Sequence, residues 1–133
     1  HFNQGTDTGI FARNVNDLSS SIMAFWTDLS RYQDDVLVMT MTEFGRTVAQ
    51  NGTGGTDHGR ASCNFILGNQ VNGGLVHGIV NPLAKENLED GRDLAVTTDF
   101  RAVFSEVAQQ HLGIKSSSAL FPGWDGKQIG VMK

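Results

Sequence analysis

Val36-Leu37-Val38-Met39-Thr40-Met41 runs directly into Thr42-Glu43-Phe44-Gly45-Arg46-Thr47, and the fold turns on how these twelve residues are read. The first six are β-prone and show no alternation of apolar with polar positions. A strand of that kind reads as covered on both faces, as in a parallel sheet packed between helices. The expectation is therefore an α/β fold with a mostly parallel sheet, in a single domain spanning residues 1–133. Beyond Met41 the chain becomes polar and rich in glycine: Glu43, Arg46, Asn51, Gly45, Gly52, Gly54 and Gly55, then Thr56-Asp57-His58-Gly59. A polar loop at the end of a buried strand is where open α/β sheets place their sites.

Upstream, Phe11, Val15, Leu18, Ile22, Phe25, Trp26 and Leu29 recur at steps of three and four. They predict an amphipathic helix with one core face, capped by Asp7 or Thr8. Downstream, Cys63 to Gly68 reads as a second inner strand with Cys63 as a buried thiol, and Leu75 to Val80 as an edge strand closed by Asn81-Pro82. Phe100, Val103, Phe104, Val107, Ala108 and Leu112 share a face of a last helix. Thr97 or Thr98 is its expected cap, and Gly113 falls where a C′ glycine belongs.

Composition narrows the partners. Ten Lys and Arg against fourteen Asp and Glu give a net charge of −4, with no basic cluster, so nucleic acid is not an expected partner. No apolar run reaches the ~20 residues of a membrane-spanning helix. The chain opens on His1-Phe2-Asn3 rather than Met, so the expectation is that the natural N-terminus lies upstream or has been removed.

His1, Glu43, Asp57 and His58 are the candidate metal ligands, with Arg46 near Glu43 in sequence. Imidazole and carboxylate together suit a borderline divalent cation, and loops with glycine let the backbone bend toward an ion. From spacing alone, solvated loop residues read the same way. Arg46 reads equally as an ion-pair partner of Glu43 or as a clamp on an anionic oxygen.

Longer strings carry a resemblance. VLVMTMTEFGRT at 36–47, GGTDHG at 54–59, FILG at 65–68 and GRDLAVTTDFRAVFSEVAQQHLG at 91–113 resemble the domain of unknown function 1501 family, over nearly the whole chain. That family is grouped by fold with sulfatases and alkaline phosphatases. The resemblance implies the C-terminal part of an alkaline-phosphatase-like three-layer sandwich, with several strands of the sheet supplied by sequence outside the chain. His1-Phe2-Asn3-Gln4 matches the end of the family's Asp-Thr-His motif. The superfamily pattern puts metal ligands in a first loop, here His1, at the end of an apolar strand, here Glu43-Phe44, and before a later strand, here His58. Thr56-Asp57-His58-Gly59 could instead be the strand-end motif itself, but an apolar strand precedes Glu43 and none precedes Thr56. Phe44 has no donor atom, which departs from a two-metal site, and nothing in the chain resembles the Ser or Thr nucleophile that the superfamily uses.

The implied activity is that of part of a metal-dependent hydrolase of phosphate or sulfate esters, inactive by itself, using zinc or manganese on a small anionic ester. The other reading is a catalytically silent binding or structural domain. The resemblance also implies a periplasmic or exported protein, sent out by the twin-arginine route. The apolar strand predicts either a homo-oligomer or association with an N-terminal portion of the same protein. The remaining polar residues read as structural. His77 is an edge-strand surface residue, His111 a helix-end residue, Arg92 and Asp93 a loop pair, and Asp99 a charge matched to the helix dipole. Phe121 to Trp124 reads as a tail packed on the domain.

Overall fold

The structure is a computed structural model describing residues 3–133. In chain order it contains α1 (Ile10–Asp28), β1 (Val38–Met39), β2 (Gly45–Arg46), β3 (His58–Gly59), β4 (Ile66–Leu67) and α2 (Phe100–His111). Short 3-10 turns occupy Lys85–Asn87 and Ser117–Ala119. The strands form two antiparallel pairs, β1 with β4 and β2 with β3.

This corrects the expected α/β three-layer sandwich with a mostly parallel sheet: among the described residues there are two helices and two short antiparallel pairings. The reason is local. Only Val38 and Met39 of the 36–41 run enter a ladder. Residues 36–40 are half-buried and Met41 is exposed, so neither face is covered as a parallel strand requires. A parallel neighbour would also need a crossover of about a dozen residues or more, usually helical. The chain between β1 and β4 carries instead the β2–β3 hairpin and its loop.

The residues fall into two compact units. The first comprises residues up to 32, 41–63 and 81–95, and holds α1, β2 and β3. Helix α1 starts without a side-chain cap: Gly9 is the N-cap, not Asp7 or Thr8. The chain turns back so sharply there that a Cβ on Gly9 would overlap the Gln4 carbonyl oxygen, and Gly5 takes φ +73°, a region glycine reaches without steric cost. The predicted helix is present, but its predicted core face is not. No residue of α1 is fully buried, and Ile10, Phe11, Val15, Leu18, Met23 and Phe25 are all exposed.

The second unit comprises residues 33–40, 64–80 and 96–133 and has its own apolar core. Val71, Val107, Val131 and Met132 are buried there, with Leu37, Ile66 and Ile129 packed against them. Helix α2 contributes Ala102, Val103, Val107 and Ala108, a face the sequence spacing predicts in part. Asp99, not Thr97 or Thr98, is its N-cap: the Asp99 carboxylate accepts the Arg101 backbone N–H at 2.9 Å. Thr97 donates its hydroxyl to Ile79 O instead. Gly113 takes φ +69° just past the helix, as expected. Replacing the cap, Asp99→Ala, is expected to cost about 1 kcal/mol in thermal or chemical unfolding, and Asp99→Asn only a few tenths.

The C-terminal segment is fastened on two sides. Asn72 N–H donates to Val131 O at 2.9 Å and Lys133 N–H to Gln70 O at 2.9 Å. On the other side the Glu106 carboxylate, 1% exposed, accepts the N–H groups of Ile129 (2.7 Å), Gly130 (2.9 Å) and Met132 (3.0 Å). Burial pushes the Glu106 carboxyl pKa up, but the N–H groups of Met132, Ile129, Gly130 and Val131 more than offset it and hold it below the usual glutamate value.

Two smaller expectations also change. Leu75 to Val80 forms no strand among the described residues, because Gly74 (φ +74°) and Gly78 (φ +98°) turn the chain out of the extended region. Cys63 is exposed in the loop before β4, where no strand covers it.

Candidate functional site

β2 and β3 present the polar loop. Gly45 opposes Gly59 and Arg46 opposes His58. The two strands approach so closely that a Cβ on Gly45 would overlap Ala61 O, and one on Gly59 would meet the backbone of Arg46 and Thr47. The loop between them is closed by Asn51. Its Oδ1 accepts from Thr53 N–H (3.0 Å), the Thr53 hydroxyl (2.9 Å) and Gly55 N–H (3.0 Å). The Asn51 Nδ2 donates to Asp57 Oδ1 at 3.0 Å.

Thr56 is the meeting point of three segments. Arg46 Nε donates to its hydroxyl at 2.9 Å, and Arg46 Nη2 donates to its carbonyl. Gln4 Nε2 donates to the same hydroxyl at 3.1 Å, across 52 positions of sequence. Asn3 N–H and Gln4 N–H donate to Thr53 O (2.8 Å) and Gly54 O (3.0 Å), so the Asn3–Gln4 stretch lies along the loop. Thr47 clasps Asp57 twice through the backbone: Thr47 N–H donates to Asp57 O, and Asp57 N–H donates to the Thr47 hydroxyl, both at 3.1 Å.

Asp57 and His58 are both exposed beside this frame. The His58 ring stacks on Phe44 with centroids 3.9 Å apart and planes 25° apart. Glu43 is exposed and precedes the paired residues of β2 by two positions, so Phe44 rather than Glu43 lies against His58. Arg46 is engaged by Thr56, and no Glu43–Arg46 ion pair forms among the described residues. His1 lies outside the described residues. Arg92 and Asp93 do pair, at 2.9 Å. The Arg92 pKa is raised first by the hydrogen bond to Asp93 and then by its charge.

Among the described residues no three His, Cys, Asp or Glu side chains gather as a metal-holding group. Asp57 and His58 offer one oxygen-bearing and one nitrogen-bearing side chain, fewer than the three protein ligands of a catalytic zinc site. Arg46 spends two of its five N–H donors on Thr56.

Asn51, Thr47, Thr56 and Gln4 are absent from the ligand set read from sequence. The Asn51-Gly52-Thr53 string does carry a signal, since an Asn side chain accepting from residues just ahead is a recurrent turn device. Nothing local could reveal Gln4.

The profile of the family described as "Protein of unknown function (DUF1501)" matches residues 1–121. The chain belongs to that family. No curated protein and no solved structure matches. No described helix is long and apolar enough to cross a membrane.

Proposed function

We propose that the chain contributes the cation- and anion-binding loop of a metal-dependent hydrolase of phosphate or sulfate esters, and that it does not turn over such esters by itself. Kinship with sulfatases and alkaline phosphatases, and an exported or periplasmic setting, belong to the same reading. The observation that carries it is the convergence of Arg46 and Gln4 on Thr56, next to Asp57 and His58. This places a guanidinium, a carboxylate and an imidazole around one loop, with the stretch after His1 hydrogen-bonded along it. In this reading Asp57, His58 and His1 hold a zinc or manganese ion, Glu43 is a further ligand candidate, and Arg46 orients the anionic ester. The cation, when bound, supplies Lewis-acid polarisation of a phosphoryl or sulfuryl oxygen.

The test is hydrolysis of an aryl phosphate and an aryl sulfate with added Mn²⁺ or Zn²⁺. The chain alone is expected to show no turnover, since no part of it resembles the superfamily's Ser or Thr nucleophile. Hydrolysis by a longer protein that contains the chain is expected to need the cation and to fall at least about 100-fold in His58→Ala. Robust turnover by the chain alone, or activity indifferent to His58→Ala, would refute the reading.

Phe44 favours a second reading, a catalytically silent binding or structural domain. In the superfamily pattern that the sequence resembles, its position carries a donor to a second metal, and its ring lies on His58. Either reading includes association with another copy or with a further portion of the same protein, supported by the uncovered apolar side chains of α1. A solution mass above 14.4 kDa is the expected result.

A further inference from the structure

We propose that the groove between α2 and residues 70–72 is a strand-docking site that accepts residues 129–133 of a second copy of this chain, so that two molecules exchange these segments.

Within one molecule the groove holds the chain's own segment. One wall is main chain: Asn72 N–H donates to Val131 O and Lys133 N–H to Gln70 O, and between them Val71 opposes Met132 in an antiparallel bridge. The other wall is α2, where Glu106 accepts the N–H groups of Ile129, Gly130 and Met132. Asn72 Nδ2 donates to Gly130 O at 3.1 Å, and Lys133 Nζ to Asn69 O at 2.7 Å. Val131 and Met132 are two of the four buried apolar residues of the core they enter. Main-chain pairing combined with buried side chains is how a sheet edge recognises an added strand.

The segment that makes these contacts is short and separable. Residues 125–128 join it to the rest, with no regular structure and no backbone hydrogen bond among the described residues. A second copy carries the same segment and the same groove, so exchange reproduces every contact and alters only the path of the linker. Exchange of an identical element is a low-cost route to a dimer. Dilution favours closure within one chain, because a short linker holds the segment at an effective concentration in the millimolar range.

Gly126 separates the linker from the groove. It takes φ +72°, and a Cβ there would overlap Ser117 Oγ. Gly126→Ala therefore strains the closed linker and leaves the groove and its segment unchanged, whereas an exchanged pair lets both linkers take another path. A left-handed alanine is disfavoured about tenfold. With two linkers relieved per dimer, association is expected to tighten about 100-fold, where a purely structural linker would only lose stability.

Mass alone does not identify the surface, since the exposed apolar side chains of α1 offer copies another place to meet. A disulfide does identify it. Val71 and Met132 form a bridge without direct hydrogen bonds between them, the narrow kind of antiparallel pair, with Cα atoms about 4.5 Å apart and within disulfide reach. Two batches of the full chain carry Gly126→Ala and Cys63→Ser, one with Val71→Cys and the other with Met132→Cys. They are mixed in urea, refolded together and oxidised. The expected product is a disulfide-linked pair with one chain from each batch, its share rising with protein concentration. Sedimentation should show Gly126→Ala dimerising about 100-fold more tightly than the wild type. No mixed pair, or dimerisation no tighter than that of the wild type, would overturn the proposal. Should the cysteine variants fail to fold, isotope-filtered NMR on mixed labelled and unlabelled Gly126→Ala reads the same contact without them. Methyl contacts between Val71 of one copy and Met132 of the other are expected, and their absence would overturn the proposal as well.

Discussion

Glu106→Ala is expected to destabilise the second unit by about 3 kcal/mol. The carboxylate is the acceptor for three backbone N–H groups at 2.7 to 3.0 Å in a site 1% exposed. Alanine leaves the Met132 N–H buried without that acceptor, while the N–H groups of half-buried Ile129 and exposed Gly130 turn to water. Glu106→Gln keeps the volume, but it offers one oxygen where two served and places an NH₂ against N–H donors. About half of the loss is expected to remain. Chemical unfolding gives the magnitude, and accelerated amide exchange at Met132 locates it.

The same group sets an acid limit. Its folded pKa is depressed, so its stabilisation is fully present above the unfolded glutamate value and is lost as pH falls through the folded one. Unfolding free energy of the wild type should therefore drop below about pH 4.3, more steeply than that of Glu106→Gln. Identical pH profiles for the two proteins would contradict the role assigned to the carboxylate.

Gly45→Ala is the second large effect. The added methyl would overlap Ala61 O, which is backbone and cannot swing aside. The substitution should cost about 3 kcal/mol and open the β2–β3 pairing that sets Arg46 opposite His58. The Gly45 N–H, which donates to Arg60 O at 3.0 Å, should lose its exchange protection. Gly52→Ala is the control: nothing lies within 4 Å of its Cβ position, and a change near zero is expected. Equal effects of the two substitutions would show that the close approach of the strands is not what Gly45 serves.

Much of the helical structure is legible in the sequence, because both helices carry apolar residues at steps of three and four over ten residues or more. Gly113 is legible for the same kind of reason, as a left-handed position that needs no side chain. The sheet is not. Val36 to Met41 lacks alternation, and that pattern specifies apolar surroundings without saying whether they come from helices above and below or from one antiparallel partner. Gly74 and Gly78 look like ordinary turn residues in sequence, although their left-handed backbone removes the strand expected at Leu75 to Val80. Helix caps shift by one or two residues, since Asp99 outcompetes the neighbouring threonines as an acceptor.

At the candidate site, Asp57, His58 and Arg46 are visible as residue types in a glycine-rich loop. Their frame is not, because it depends on Gln4 reaching Thr56 from 52 positions away. The stack of Phe44 on His58 depends on the antiparallel register, which the sequence does not reveal.

Whether His58 holds a cation is decided by titrating the chain with Mn²⁺ and Zn²⁺, with His58→Ala and His77→Ala beside the wild type. His77 lies in the other unit, its Nε2 within 2.9 Å of Asn72 O, and serves as the control. Saturable uptake of one cation is expected, lost in His58→Ala and unchanged in His77→Ala. No uptake by the wild type, or uptake that survives His58→Ala intact, would contradict a cation site at this loop.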